Sequence, residues 1–305
     1  MSLALHELPH LIVHRDEPLA RYTAARLGGP ADILAIAQHR DALIAAVQWA
    51  RETETRWIIL GGGANVLISE YGFRGLVIIN RSKETEIDAA SGRVVADSGT
   101  NLTTLARRCI GQGLKGLEWG VSVPGTVGGA VVNNAGAHGG DMAHNLASVE
   151  IIDLETSTTP ETWQTQALNY DYRYSVLKGK RGRYIVLQAT LQLEPGHDPK
   201  ELSQVADEFI VYRKRTQPPG ASLGSMFKNP PDDYAGRLIE AAGLKGHRIG
   251  GVEVSTVHAN FFTNTGDATA SDYAALIQHV QQTVATRFGV GLELEIEQIG
   301  EGLEE

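Results

Sequence analysis

Ten of the chain's 34 glycines fall between Gly111 and Gly140, where an even spread would place about three. They follow no period, which excludes a collagen-type repeat. Glycine weakens helices and strands, so a folded chain concentrates it where backbone must approach something closely or take a left-handed turn. This stretch is therefore the first place to look for such a close approach.

The remaining composition bounds the class. Apolar residues at 42% and charged residues at 21% are ordinary globular usage, and 305 residues suggest about two domains. Lys and Arg total 27 against 36 Asp and Glu, a net charge of −9, which argues against nucleic acid or an anionic membrane as partner. The one cysteine, Cys109, excludes an intrachain disulfide and a thiolate metal cluster. No apolar run reaches the ~20 residues of a membrane span. The first twenty residues carry His, Glu, Asp and two prolines where a secretory leader would be apolar. A reducing cytoplasm is the expected compartment.

Periodicity predicts strands at Asp32–Ala37, Trp57–Leu60, Leu76–Ile79, Arg93–Asp97, Val149–Leu154 and Tyr184–Leu193. Leu43, Ala46, Val47 and Ala50 predict a helix between the first two, a strand–helix–strand unit ending in Gly61-Gly62-Gly63-Ala64-Asn65. Leu102, Leu105, Ala106 and Cys109 predict a second helix, stopped by Gly111 and Gly113. Glu194-Pro195-Gly196-His197-Asp198-Pro199 is the expected linker. Beyond it come a helix through Leu202, Val205, Ala206 and Phe209, a long helix after Ser271 ending at Gly289, and an alternating final strand, Leu292–Ile296. The class is α+β, with a larger glycine-rich domain over residues 1–195 and a smaller α+β domain over 196–305.

Three motif matches fail on context. His6-Glu7-Leu8-Pro9-His10 fits the zinc signature H-E-x-x-H, but Pro9 would break the helix that must align both histidines. Gly111–Gly116 fits G-x-G-x-x-G, yet it follows a helix rather than a strand. Gly220-Ala221-Ser222-Leu223-Gly224 fits a nucleophile elbow, but prolines precede it and Ser225-Met226-Phe227 reads as extended. The run Lys178, Lys180, Arg181, Arg183 reads as a solvated hairpin loop.

Two stretches remain. Gly61–Asn65 either makes a tight turn or turns its N–H groups inward as an anion nest. Trp119–Ala130, continuing into Asn133-Asn134-Ala135-Gly136, offers small residues and amides with little charge, suited to a flat ligand and its diphosphate. Two such loops in one domain fit a dinucleotide better than a mononucleotide.

These stretches, with Tyr22-Thr23, Arg26–Asp32, Leu60–Leu67, Tyr170-Asp171-Tyr172-Arg173-Tyr174-Ser175, Gly224-Ser225-Met226-Phe227-Lys228-Asn229-Pro230, Val257-His258-Ala259-Asn260-Phe261 and Leu292-Glu293-Leu294-Glu295, occur in the order found in one family. From about Arg21 to Gly300 the chain resembles the UDP-N-acetylenolpyruvoylglucosamine reductases, in their shorter subgroup (type II). Longer members carry an extra segment after the Tyr-Arg-x-Ser stretch; here Arg173 runs almost directly into the Tyr184–Leu193 strand. The resemblance implies a vanillyl-alcohol-oxidase (PCMH-type) FAD domain followed by a substrate domain. It implies an enzyme of peptidoglycan precursor synthesis that uses NADPH and non-covalent FAD to reduce an enolpyruvyl ether, with no obligatory protein partner. FAD would meet Gly61, Gly62, Gly63, Ala64 and Asn65 on one loop, and Gly120, Val121, Ser122, Pro124, Gly125, Gly128, Gly129, Asn133, Ala135 and Gly136 on the other.

By the same resemblance Arg173 grips the substrate carboxylate, a task that suits a permanently charged guanidinium. Ser225 supplies the proton to the α-carbon. Glu295 acts as a neutral acid, because a carboxylate beside substrate carboxylate resists ionising. Tyr172, Arg213, Lys228 and Asn229 bind substrate. The chain departs from many members at Leu294, where they have Pro. A flavin oxidase of the same fold, tethering FAD through Cys109 or His138, and a non-catalytic UDP-sugar-binding protein are the competing readings.

Overall fold

A computed structural model describes residues 4–303. Along the chain the strands are β1 (Leu11–Pro18), β2 (Pro30–Ala37), β3 (Trp57–Leu60), β4 (Val66–Ile68), β5 (Phe73–Asn80), β6 (Thr85–Asp88), β7 (Arg93–Asp97), β8 (Gly136–Ala137), β9 (Gly140–Asp141), β10 (Leu146–Asp153), β11 (Glu161–Gln164), β12 (Tyr184–Gln192), β13 (Ser222–Ser225), β14 (Arg248–Ile249), β15 (Val252–Val254), β16 (Phe261–Asn264) and β17 (Glu297–Ile299). The helices are α1 (Arg40–Glu52), α2 (Leu102–Gly111), α3 (Val127–Asn133), α4 (Met142–Asn145), α5 (Pro199–Thr216), α6 (Ala235–Ala241) and α7 (Ala270–Phe288). The α+β class follows.

The chain forms two compact units that interleave in sequence. The first takes residues up to His14, Ile33–Gly62 and Gly75–Tyr212; the second takes Arg15–Asp32, Gly63–Arg74 and the residues from Arg213 onward. A division at residue 196 follows chain order, whereas these units follow packing. The expected linker is stitched into the first unit: Lys115 and Glu194 exchange backbone hydrogen bonds, and the His197 N–H donates to the Gly113 carbonyl at 3.1 Å.

In the first unit a five-stranded sheet runs β11-β10-β12-β7-β6, antiparallel throughout. The alternation in Tyr184–Gln192 works as read: Ile185, Leu187, Ala189 and Leu191 are buried. Asn101 caps α2, its side chain accepting from the Thr104 N–H at 2.9 Å, and the α2 stripe packs into one core with Val94, Ala96 and Val127. A second sheet has order β1-β2-β5-β3. The expected strand–helix–strand unit is present, but β5 lies between β2 and β3 and pairs in parallel with β3. Ala42, Leu43, Ala46, Val47 and Ala50 of α1 seal this core with Leu76, Ile78, Ile185 and Leu187.

In the second unit a four-stranded sheet, β13-β16-β15-β14, shares a core with α6 and α7. A capping box from Thr269 and Asp272 starts α7, and Gly289 at φ 69° ends it. The predicted final strand is displaced. Leu292–Ile296 does not form one: Leu294 makes a single bridge to Phe227, the chain bends at Glu295 and Ile296, and the strand is Glu297–Ile299, parallel to β4. The alternation was real but aperiodic in use, since Leu292 and Ile296 bury without a ladder between them. Glu295 is thus half-buried at a bend.

Leu187→Ala should remove side-chain volume shared by the sheet and the α1 core. Urea titration should show a loss of roughly 2–5 kcal/mol.

Candidate active site

The first glycine loop leaves β3 and is shaped by backbone packing. A Cβ on Gly61 would strike the Thr126 hydroxyl, and one on Gly62 would lie 2.7 Å from the Gly125 Cα. The two glycine loops therefore touch backbone to backbone within the first unit. Gly63, at φ 62°, lies against the Tyr22 carbonyl, and its own carbonyl accepts from the Ala24 N–H at 2.9 Å. Among the described residues, the N–H groups of Gly62, Gly63 and Ala64 donate to no acceptor. That is the property an anion nest needs.

The second stretch follows the same logic. Gly120 packs on Ala106, with an added Cβ 3.2 Å from its Cβ, and a Cβ on Gly128 would lie 2.8 Å from that of Ser98. Val121 and Ser122 are buried in a short 3₁₀ turn, where the Ser122 hydroxyl donates to the Trp119 carbonyl at 3.1 Å. Thr126 caps α3 through the Gly129 N–H. The Asn133 amide donates to the Gly129 carbonyl at 3.0 Å, but its buried Oδ1 has no partner, nor has the buried Thr100 hydroxyl. Buried polar atoms without partners are rare. With the Gly62 N–H of the same unit, they offer donors and acceptors of the kind a flavin dinucleotide needs. Gly111 and Gly113 are helix-end residues, as their context requires: Gly111 closes α2, and Gly113 at φ 71° leads away from it.

The Tyr170–Ser175 segment is sewn onto the end of α3. The Tyr170 hydroxyl donates to the Val131 carbonyl at 2.8 Å, and the Ser175 hydroxyl to the Val132 carbonyl at 2.6 Å. Asn134 donates to the Asp171 carbonyl at 3.0 Å. Arg173, held at φ 53° in a tight turn closed by Asp171 and Tyr174, points its guanidinium at the Gly136 carbonyl, 2.8 Å away, and the Asn134 carbonyl, 3.4 Å away. Helix-end carbonyls carry partial negative charge, so a cation and hydroxyls there are stabilising. Tyr172, half exposed, lies beside the Arg173 guanidinium at 5.4 Å. Lys178 donates to the Arg173 carbonyl and Arg183 grips Asp153 with two bonds, so part of the basic run is fixed rather than solvated.

In the second unit Ser225 ends β13 opposite Phe261. The Glu295 N–H donates to the Met226 carbonyl at 3.0 Å, which places Glu295 one residue from Ser225 across a backbone bond. Asn65 reaches the Glu295 carbonyl at 3.0 Å, so the first loop also anchors the bend that carries Glu295. Lys228 is ion-paired with Glu293 at 2.6 Å, and the Asn229 Oδ1 accepts from the Ala235 N–H at the start of α6. Burial pulls the Arg213 guanidinium below its ordinary pKa. The structure thus brings Ser225, Glu295, Lys228 and Asn229 into one unit with Arg213; Arg173 and Tyr172 belong to the other. Cys109 is fully buried and burial pushes its thiol up to about 12, which leaves it inert as a flavin tether. His138 stacks flat on Phe209 with ring centroids 4.1 Å apart. His6 and His10 share no helical turn, since a short 3₁₀ turn ends at Glu7 and β1 begins at Leu11.

Sequence reasoning gave no role to Asn260 or His258, although both lie in the quoted Val257–Phe261 stretch. Asn260 is 3% exposed, and its side-chain amide accepts from the Phe227 N–H and donates to the Phe227 carbonyl. His258 is lowered by burial, and its Nδ1 accepts from the Asn260 N–H at 3.2 Å, so the neutral ring is the form that fits.

Comparison with known proteins matches residues 31–161 to the FAD binding domain family and residues 216–299 to the C-terminal domain of UDP-N-acetylenolpyruvoylglucosamine reductase. A reductase of that name from Synechococcus sp. (strain CC9311) is 45% identical over 95% of this chain and 94% of its own length. Another, from Synechococcus elongatus, is 45% identical over 93% of each. The crystal structure of the reductase from Thermus caldophilus superposes with a TM-score of 0.80 at 34% identity, covering 95% of this chain and 100% of that one.

Two outcomes follow from this geometry. Gly63→Ala should cost more than ~1 kcal/mol, because a left-handed backbone and a carbonyl contact oppose its Cβ, while Gly111→Ala, with open space, should be neutral or stabilising. Urea unfolding of both variants checks this. The rings of His258 and His279 titrate below their ordinary 6.5 when folded, through burial in both cases and the neighbouring His247 in the second. In that window the unfolded chain holds more protons, so stability should be full above about pH 7 and fall as pH drops toward about 5. His279→Asn should weaken the dependence.

Proposed function

The chain belongs to the UDP-N-acetylenolpyruvoylglucosamine reductase family, and on that premise we propose how its residues divide the work. The protein is an FAD-dependent oxidoreductase that reduces the enolpyruvyl ether of UDP-N-acetylenolpyruvoylglucosamine to UDP-N-acetylmuramate, with NADPH as co-substrate, in peptidoglycan precursor synthesis. Among the described residues no helix is long and apolar enough to cross a membrane. A cytoplasmic enzyme acting on small molecules alone is our reading.

Bound FAD supplies the relay of hydride from NADPH to the vinyl carbon of the substrate. In our reading the two glycine-rich loops would hold it, Gly61–Asn65 through its N–H groups and Gly120–Gly136 with the Asn133 Oδ1 as an available acceptor. Reduction of the vinyl group throws negative charge onto the α-carbon and the adjoining carboxylate. Arg173 is assigned to that carboxylate: its guanidinium is already oriented by two backbone carbonyls and stays charged. Ser225 is assigned the proton for the α-carbon. Its hydroxyl, a feeble acid in water, faces a strongly basic carbanion, so transfer is feasible if the geometry is held. Glu295 is assigned the hydrogen bond that disperses charge on the carboxylate. Arg213, Lys228, Asn229 and Tyr172 are assigned to the rest of the substrate; Lys228 would exchange Glu293 for it.

The observation that carries this division is the bond from the Glu295 N–H to the Met226 carbonyl, which ties the proposed acid to the segment of the proposed proton donor. The test is anaerobic stopped flow. NADPH should bleach the yellow enzyme, and substrate should restore the colour. Ser225→Ala should bleach normally but reoxidise ~10²–10⁴-fold more slowly. Unchanged reoxidation would remove Ser225 from the chemistry.

A further inference from the structure

Within the reading that Ser225 protonates the α-carbon, we propose that Asn260 is the positioning residue for that step, a clamp that aims the Ser225 hydroxyl from beneath. Among the described residues the Ser225 hydroxyl makes no hydrogen bond, so its direction is set by the backbone that carries it. Its own strand holds that backbone through an irregular ladder, paired at Ser222 with Thr263 and at Ser225 with Phe261. The β13–β16 ladder shifts register between Ser222 and Ser225, and Gly224, at φ 79°, sits inside the irregularity. A hydroxyl at the end of an irregular strand needs a further restraint to keep its aim.

Asn260 supplies one. The Met226 N–H donates to the Asn260 carbonyl at 2.8 Å. The Phe227 N–H donates to the Asn260 Oδ1 at 3.0 Å, and the Asn260 Nδ2 donates to the Phe227 carbonyl at 2.8 Å. Three bonds thus hold the two residues that follow Ser225, and the paired donor and acceptor of one amide fix their orientation as well as their position. The amide is buried, where such bonds are strongest and their loss most costly. The Asn260 backbone N–H donates to His258 Nδ1, which closes the base of the clamp. The remaining Met226 group, its carbonyl, receives the Glu295 N–H. Asn260 therefore sets the spacing between the proton donor and the acid as well as the aim of the donor.

A purely structural asparagine and a positioning one differ in what they slow. The test is a double-mutant cycle on the FAD-loaded enzyme, with the two half-reactions followed separately by flavin absorbance. Asn260→Ala should bleach with NADPH within about twofold of the unchanged enzyme and reoxidise ~10–100-fold more slowly with UDP-N-acetylenolpyruvoylglucosamine, the cost of a small misplacement. In a Ser225→Ala background the same change should slow reoxidation by no more than about twofold, because there is no hydroxyl left to aim. Asn260→Asp keeps the shape and the acceptor for Phe227 N–H but loses the donor. It should fall between, recover as pH is lowered and the acid regains a proton to donate, and serve in the same cycle if Asn260→Ala does not fold.

An equal slowing of reoxidation in both backgrounds, or equal losses in both half-reactions, overturns the clamp and leaves Ser225 in place. If Ser225→Ala itself reoxidises normally, the proton-donor assignment falls first and the clamp falls with it.

Discussion

The close approach of two backbones governs the first unit. Gly61 and Gly62 lie on Gly125 and Thr126 with no room for a Cβ at either glycine, and this contact decides which residues the two loops can contain. Side chains there would push the loops apart and rotate their N–H groups. The glycine surplus that first drew attention to residues 111–140 has therefore two causes. Some glycines are those we assign to bound FAD, and others let chain meet chain. Gly120 on Ala106 and Gly128 on Ser98 are of the second kind.

Buried polar groups do the fine positioning. In the first unit, Tyr170, Arg173 and Ser175 satisfy carbonyls at and beyond the end of α3, which fastens the Arg173 turn to the glycine-rich wall. In the second, Asn65 fixes the carbonyl of Glu295, and the Asn260 amide fixes the N–H and carbonyl of Phe227. Asparagine recurs because one short amide can both donate and accept, so it can pair with a peptide group in both directions. Burial makes each such bond worth keeping, since an unpaired partner would carry a desolvation penalty. The buried Asp97 is handled likewise: burial raises its pKa, while the Glu84 N–H at 3.0 Å and Arg40 at 3.2 Å supply the compensation.

Much of the fold was legible because its signals are local. The α1 stripe, the alternation in β12, the apolar stripe of α7 and the glycine that ends it all act within a few residues. Leu292–Ile296 was misread as a strand for an instructive reason. Alternating burial can arise from a bent segment that drops Leu292 and Ile296 into the core separately, and only the ladder partners tell the two cases apart. The linker at Glu194–Pro199 carried every compositional mark of a tether. Its backbone bonds to Lys115 and Gly113 come from far away in sequence, and no local pattern announces them.

The sequence by itself determined the class, the helices α1, α2, α5 and α7, the strands β2, β3, β5, β7, β10 and β12 and, through the order of its motifs, the family. Those depend on side-chain periodicity, on turn chemistry and on residue types that recur in fixed order. Tertiary structure alone decided that β5 enters between β2 and β3, that the compact units interleave along the chain, that Glu295 sits at a bend, and that Asn260 grips the peptide after Ser225. Each of these is a pairing between residues distant in the chain, and a buried hydrogen bond leaves no periodic trace at either of its ends.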